Sequence, residues 1–229
     1  MIRLAVLISG GGSNMTCLAD AIKTYGIAAK ITIVISDKEC NGIALAKDRS
    51  LPTLIIKRKD FDSRANHDAA IAAAIDVHQA DYVFLAGYMA ILGSDFVDQF
   101  AGRLLNIHPS LLPALKGLET HRRAIDKNVA THGASVHLVT AALDDGPMIL
   151  QASLTLQAGD TVDSLAARVL KLEHQIYPFV LFGLAKRFLS LIPEGAVWHA
   201  PSSALADASS PMQEQLAPCL IWPTSLADI

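Results

Sequence analysis

The chain is short of charge, of cysteine and of long apolar runs, and each shortage excludes something. Charged residues are 18% of the 229 positions, below the roughly one quarter of an average soluble domain. Hydrophobic residues reach 52% and mean hydropathy is +0.36. A membrane protein would show that balance. However, the longest uncharged apolar stretches, 82–93 and 176–185, have 12 and 10 residues, where a spanning helix needs about 20. Alanine supplies much of the excess, and alanine favours helices and close packing. A layered core with a sheet buried on both faces accounts for the composition instead.

Cysteine is scarce as well. Cys17, Cys40 and Cys219 are odd in number and far apart, with no CxxC pair. That excludes a disulfide framework and implies a reducing compartment. There is no basic excess: 19 Lys and Arg face 22 Asp and Glu, for a net charge of −3. Nothing forms an electrostatic footprint for nucleic acid or anionic lipid. The start, Met1 to Ile8, reads as a strand and carries no cleavage site, so a signal peptide is not expected. A soluble cytoplasmic protein is expected, without a nucleic-acid or membrane partner. No HExxH or HxxxH pair occurs. His132 and His137 lie five apart in an extended run and so face opposite ways. No catalytic metal is expected.

What is present is a regular alternation. Leu4 to Ser9 is a continuous apolar strand, as in a parallel sheet covered on both faces. After Gly10-Gly11-Gly12, Ser13 or Asn14 can cap a helix to about Tyr25. Further strands are expected at 31–36, 53–56, 82–86 and 103–107, with helices at 41–49, 60–79 and 94–100. This rhythm implies right-handed crossovers and a mostly parallel, Rossmann-like α/β sheet with helices on both faces. Later, 133–140 and 147–157 are two extended runs around Asp144-Asp145-Gly146-Pro147, a turn signature. They can pair with each other or join the sheet in antiparallel sense. A helix from Thr161 to about Leu189 places Leu165, Val169, Leu172 and Ile176 on one face. A catalytic domain is expected over 1–190. Over 191–229 an irregular appendage is expected, because Pro193, Pro201, Pro211, Pro218 and Pro223 are five of the ten prolines.

Two segments carry chemistry. Ser9-Gly10-Gly11-Gly12-Ser13-Asn14 joins a strand to a helix, where backbone N–H groups and the helix dipole attract an anion. A dinucleotide fingerprint needs glycine or alanine at position 15, which is Met. A Walker loop needs a lysine that is missing. A single phosphomonoester fits better, although a bare tight turn stays open. In Asn106-Ile107-His108-Pro109, Asn106 and His108 are two apart at a strand end and point to one face. Pro109 then turns the chain away. Asn can donate to an oxyanion and His can shuttle protons. Asp144 could orient His108 and favour its imidazolium if their loops meet, but Asp144 and Asp145 are equally plausible as mere turn formers. Glu173 and His174 read as a solvated helix face.

These segments resemble the glycinamide ribonucleotide transformylases of the folate-dependent formyltransferase family. The resemblance runs from about residue 2 to about residue 190. It rests on Ile8 to Asn14, Phe61-Asp62-Ser63-Arg64, Leu85 to Leu92, Leu105 to Pro113, Thr120-His121-Arg122, His132 to His137 and Leu143 to Pro147. It implies transfer of a formyl group from 10-formyltetrahydrofolate, a co-substrate, to glycinamide ribonucleotide in purine synthesis. No metal takes part, and the protein would be a monomer or homodimer. It further implies that Gly12, Ser13 and Asn14 hold the ribotide phosphate and that Glu173 sits near the ribotide amine. Arg64, Met89, Ala90, Ile91, Leu92 and Asn106 would contact folate. Asn106 would also stabilise the oxyanion, His108 act as general acid, and Asp144 act on His108 and relay protons. Ala90 departs from the Arg often found there, which removes a side-chain contact to the folate tail. A 10-formyltetrahydrofolate hydrolase and a non-catalytic nucleotide-binding module stand as alternatives.

Overall fold

The computed structural model describes residues 1–199 and the strand at 220–221. These residues fall into two compact units, Met1–Asn106 and the chain from Ile107 onward. The first unit contains β1 (Ile2–Ile8), α1 (Ser13–Thr24), β2 (Ala29–Ser36), α2 (Asn41–Asp48) and β3 (Thr53–Ile55). After a 3₁₀ turn at Arg58–Asp60 come α3 (Arg64–Val77), β4 (Tyr82–Leu85), α4 (Ser94–Gln99) and the start of β5 (Leu104–His108). Its strands lie in the order β5-β4-β1-β2-β3 and all run parallel. Leu4 to Ile8 are all fully buried. Neighbouring residues on a strand point to opposite faces, so both faces of β1 are covered. This is the Rossmann-like parallel sheet that the apolar runs predict.

The register aligns the carboxyl ends. Ile8 pairs with Ser36, Leu7 with Leu85, and Leu85 with Asn106. The glycine loop, the segment after β4 and Asn106 therefore emerge along one edge, where α/β sheets bind ligands.

The second unit holds α5 (Thr120–Asp126), β6 (Thr131–Leu138), β7 (Met148–Thr155), α6 (Val162–Lys186), β8 (Leu189–Ile192), β9 (Gly195–Trp198) and β10 (Leu220–Ile221). The two extended runs pair with each other: β6 and β7 are antiparallel, with a register shift at Val136/His137. Helix α6 starts in a reciprocal cap, in which Thr161 Oγ1 accepts from the Ser164 N–H and Ser164 Oγ from the Thr161 N–H. Leu165, Val169, Leu172 and Ile176 are buried at the predicted spacing, and the helix ends where Arg187 turns left-handed at φ 61°. Among the described residues no helix is long and apolar enough to cross a membrane.

Several details differ from the sequence reading, among them α3, which starts at Arg64 rather than at Asp60, and α6, which ends at Lys186 rather than near Leu189. The cap of α1 is Gly12, left-handed at φ 76°, and Ser13 and Asn14 are its first helical residues. Glycine reaches this conformation without a steric cost. Helix α5 has too few residues to show a periodicity. The expected boundary at 190 falls inside β8, and β8–β9 form a hairpin. Trp198 is 2% exposed. It stacks on Phe179 at 5.8 Å and donates Nε1–H to the Ile149 carbonyl. Residues 200–219 and 222–229 of the expected appendage lie outside the described residues. Strand β10 pairs antiparallel with β7.

Candidate active site

In the first unit the site is built from loops at the sheet edge. Gly12 is buried. No side chain caps α1, and its first turn holds no acidic residue. Helix starts of this kind attract anions. Ser9, 3% exposed, accepts the Met89 N–H on Oγ at 2.9 Å, which ties the segment after β4 to the end of β1. Met89 and Ile91 then hold large apolar side chains 61% and 63% exposed. Ala90 and Leu92 between and beyond them are half-buried. The segment is closed by Asp68, whose Oδ2 accepts the Gly93 N–H at 2.8 Å. Arg64 comes to the same place, since its Nε lies 3.6 Å from where a Gly93 Cβ would stand. Arg64 and the end of this segment at Gly93, far apart in sequence, therefore meet. The segment's buried neighbour Tyr88 has its phenol pushed up, first by burial and then by Asp37 and Asp68.

In the second unit the chain around His108 is the organising feature. Both His108 and Asn106 lie in β5, with His108 buried and Asn106 half-buried. His108 Nε2 faces the Leu115 carbonyl at 3.2 Å, and Nδ1 stands 3.4 Å from Asp144 Oδ2. A carbonyl and a carboxylate only accept, so each ring nitrogen of His108 faces an acceptor. Asp144 Oδ2 also accepts the Gly117 N–H at 2.8 Å, and Asp144 itself is left-handed at φ 48°. A Cβ at Gly146 would lie 1.8 Å from the Leu138 carbonyl, so the turn tolerates no side chain there. Asp145 instead pairs with Lys116. This separates the two carboxylates that the turn signature leaves equivalent.

The sequence reading gives no role to His137, which stands beside Asp144, or to Ser135, which meets the segment after His108. His137 Nε2 is 3.8 Å from Asp144 Oδ1, and its Nδ1–H donates to the Leu138 carbonyl. Burial holds His137 below the ordinary histidine value, and the Leu138 bond and Asp144 oppose that. Glu173 is 8% exposed on α6, so it does not lie on a solvated face. Ser135 is fully buried. Its Oγ–H donates to the Ser110 carbonyl at 2.6 Å and accepts from the Leu112 N–H and Gln151 Nε2. It holds the segment that follows His108. Ser135→Ala should cost about 2 kcal/mol, because buried partners are left unsatisfied. A urea midpoint equal to that of the natural chain would contradict this.

His121 Nδ1 and His132 Nε2 are 3.2 Å apart, with rings edge to face. Burial, then His121 and His108, push His132 down to about 4; His121 is lowered by burial and then by His108. In the unfolded chain an imidazole titrates near 6.5. Between those values the unfolded chain binds a proton that the folded one refuses. Stability is therefore full above about pH 6.5 and falls as pH drops toward about 4, by at most about 1.4 kcal/mol per pH unit for one such group. Urea midpoints should fall more steeply over that window in the natural chain than in His132→Asn. Parallel curves would remove His132 from the acid response.

The first unit thus carries a Rossmann-like sheet edge with a glycine loop, and the second a buried histidine–carboxylate pair at the end of β5. The formyl transferase family pattern matches residues 2–181, and the chain belongs to that family. Within it, the chain is 44% identical over 198 residues to phosphoribosylglycinamide formyltransferase of Escherichia coli K12, covering 86% of this chain and 93% of that one. Among solved structures, it is similar to glycinamide ribonucleotide transformylase 1 from Symbiobacterium toebii, with a TM-score of 0.84, 38% identity and coverage of 87% and 95%. It is also similar to phosphoribosylglycinamide formyltransferase from Brucella melitensis, with a TM-score of 0.77, 48% identity and coverage of 80% and 95%.

Proposed function

We propose that this chain transfers the formyl group of 10-formyltetrahydrofolate to the amine of glycinamide ribonucleotide, a step of de novo purine synthesis. The observation that carries this reading is His108 held 3.4 Å from Asp144 at the end of the strand bearing Asn106. The names of the relatives support the choice of substrates.

The ribotide phosphate sits on Gly12, Ser13 and Asn14, at the uncapped start of α1. Arg64, Met89, Ala90, Ile91 and Leu92 line the folate side, with apolar surface from Met89 and Ile91. Glu173 receives the ribotide amine. The amine attacks the formyl carbon, a C–N bond forms, and the carbonyl electron pair moves onto oxygen. The Asn106 carboxamide donates to that oxyanion. The oxyanion then collapses, the bond to the folate nitrogen breaks, and His108 supplies the proton that this nitrogen needs. Asp144 fixes the ring of His108 and relays the proton lost by the attacking amine.

The test is an assay of the purified protein with 10-formyltetrahydrofolate, with and without glycinamide ribonucleotide. Folate release that requires the ribotide is expected. Release without ribotide would make the chain a hydrolase, and no release would make it a binding module; either outcome overturns the proposal.

A further inference from the structure

The glycine loop leans on a second element. Gly42, buried in the first turn of α2, donates its N–H to the Gly10 carbonyl at 2.9 Å. A Cβ on Gly12 would stand 2.6 Å from Gly42 Cα. A Cβ on Gly42 would stand 3.0 Å from Gly12 Cα, 3.0 Å from the Gly10 oxygen and 2.6 Å from Ile8 Cδ1. Two backbones thus touch with no side chain between them. Gly12 must also keep φ at +76° to start α1. On another side the loop meets Met15, fully buried, whose Cε lies 3.4 Å from the would-be Gly12 Cβ. In a dinucleotide fold the ground between the ends of the first two strands takes a nucleoside. Here α2 begins five residues after β2 ends, and its first turn occupies ground beside the loop.

We propose that Gly42 is a positioning residue for the phosphate of the ribotide. It touches no ligand. It fixes the path of Gly10 to Gly12, and so the direction of the N–H groups at the start of α1. The inference rests on the reading of that loop as the ribotide-phosphate site. A methyl group at 42 must move either Ile8, which is a flexible side-chain end, or the Gly12 backbone, which is not.

Gly42→Ala should raise KM for glycinamide ribonucleotide about tenfold or more, since small misplacements of fixed donors are costly. Turnover at saturation and KM for the formyl-folate should stay within about threefold. Inorganic phosphate, used as a competitor and titrated calorimetrically, should bind about tenfold more weakly. The double variant Ile8→Val/Gly42→Ala removes the methyl that the new Cβ meets in the core. Its thermal midpoint should recover while its ribotide KM stays raised, and it carries the measurement if Gly42→Ala does not fold. Recovery of ribotide KM along with the midpoint, or a Gly42→Ala enzyme with unchanged KM and phosphate affinity, would overturn the inference. Phosphate titration of the natural chain needs no turnover. A chain that binds phosphate but forms no product would overturn the proposed function and leave Gly42 to be judged by titration alone.

Discussion

Asn106→Ala should fold normally and lose about 10²–10³ in turnover, the usual effect of removing an oxyanion donor. The fold makes the substitution informative. Asn106 pairs in register with Leu85 on β4, so its backbone is held by the ladder whatever its side chain. Truncation removes the carboxamide while the strand pairing of β5 with β4 stays in place. The loss should appear in kcat, because charge on the formyl oxygen develops only in the transition state. Ribotide KM should change little. A loss confined to KM would make Asn106 a binding residue, and a near-normal rate would sink its proposed role.

His108→Ala should lose at least about 10² in turnover, with a different signature. Its side chain is 7% exposed and meets both Asp144 and the Leu115 carbonyl, so truncation also leaves a buried carboxylate without its ring. Some fall in stability accompanies the loss of rate. His108→Gln separates the two, because an amide can still hydrogen-bond but cannot donate a proton as an acid. It should keep more of the stability and recover little of the activity. If it recovered most of the rate, proton transfer would not be the task of position 108. Asp144→Asn keeps the shape and can hold the left-handed turn at 144. It should lose less turnover than His108→Ala and change the form of the pH–rate profile. An unchanged profile would leave Asp144 a purely structural part of the turn.

Much of this was legible in local sequence because it depends on local chemistry. The continuous apolar runs of β1, β2 and β4 mark strands covered on both faces. The spacing of two between Asn106 and His108 puts both on one side of β5. What local sequence hides is long-range. Asp144 and Asp145 are chemically identical in the turn. Only the fold sends one to His108 and the other to Lys116. His121 and His132 are eleven residues apart, one at the start of α5 and one at the start of β6, yet their rings touch. Glu173 reads as a surface residue because a helical repeat marks one buried stripe, while the middle of α6 is buried well beyond that stripe. Gly42 reads as an ordinary helical glycine until Gly12 is placed against it.

The β8–β9 hairpin has a use in the laboratory. The chain has two tryptophans. Trp198 is sealed against Phe179, and Gly183 on α6 leaves room for its ring, since a Cβ there would stand 2.8 Å from it. A Trp222→Phe chain would keep a single indole emitter seated on the last helix. Its emission maximum and quenching by added iodide would then report, without any label, whether α6 and its hairpin remain docked while the enzyme is titrated, heated or trimmed.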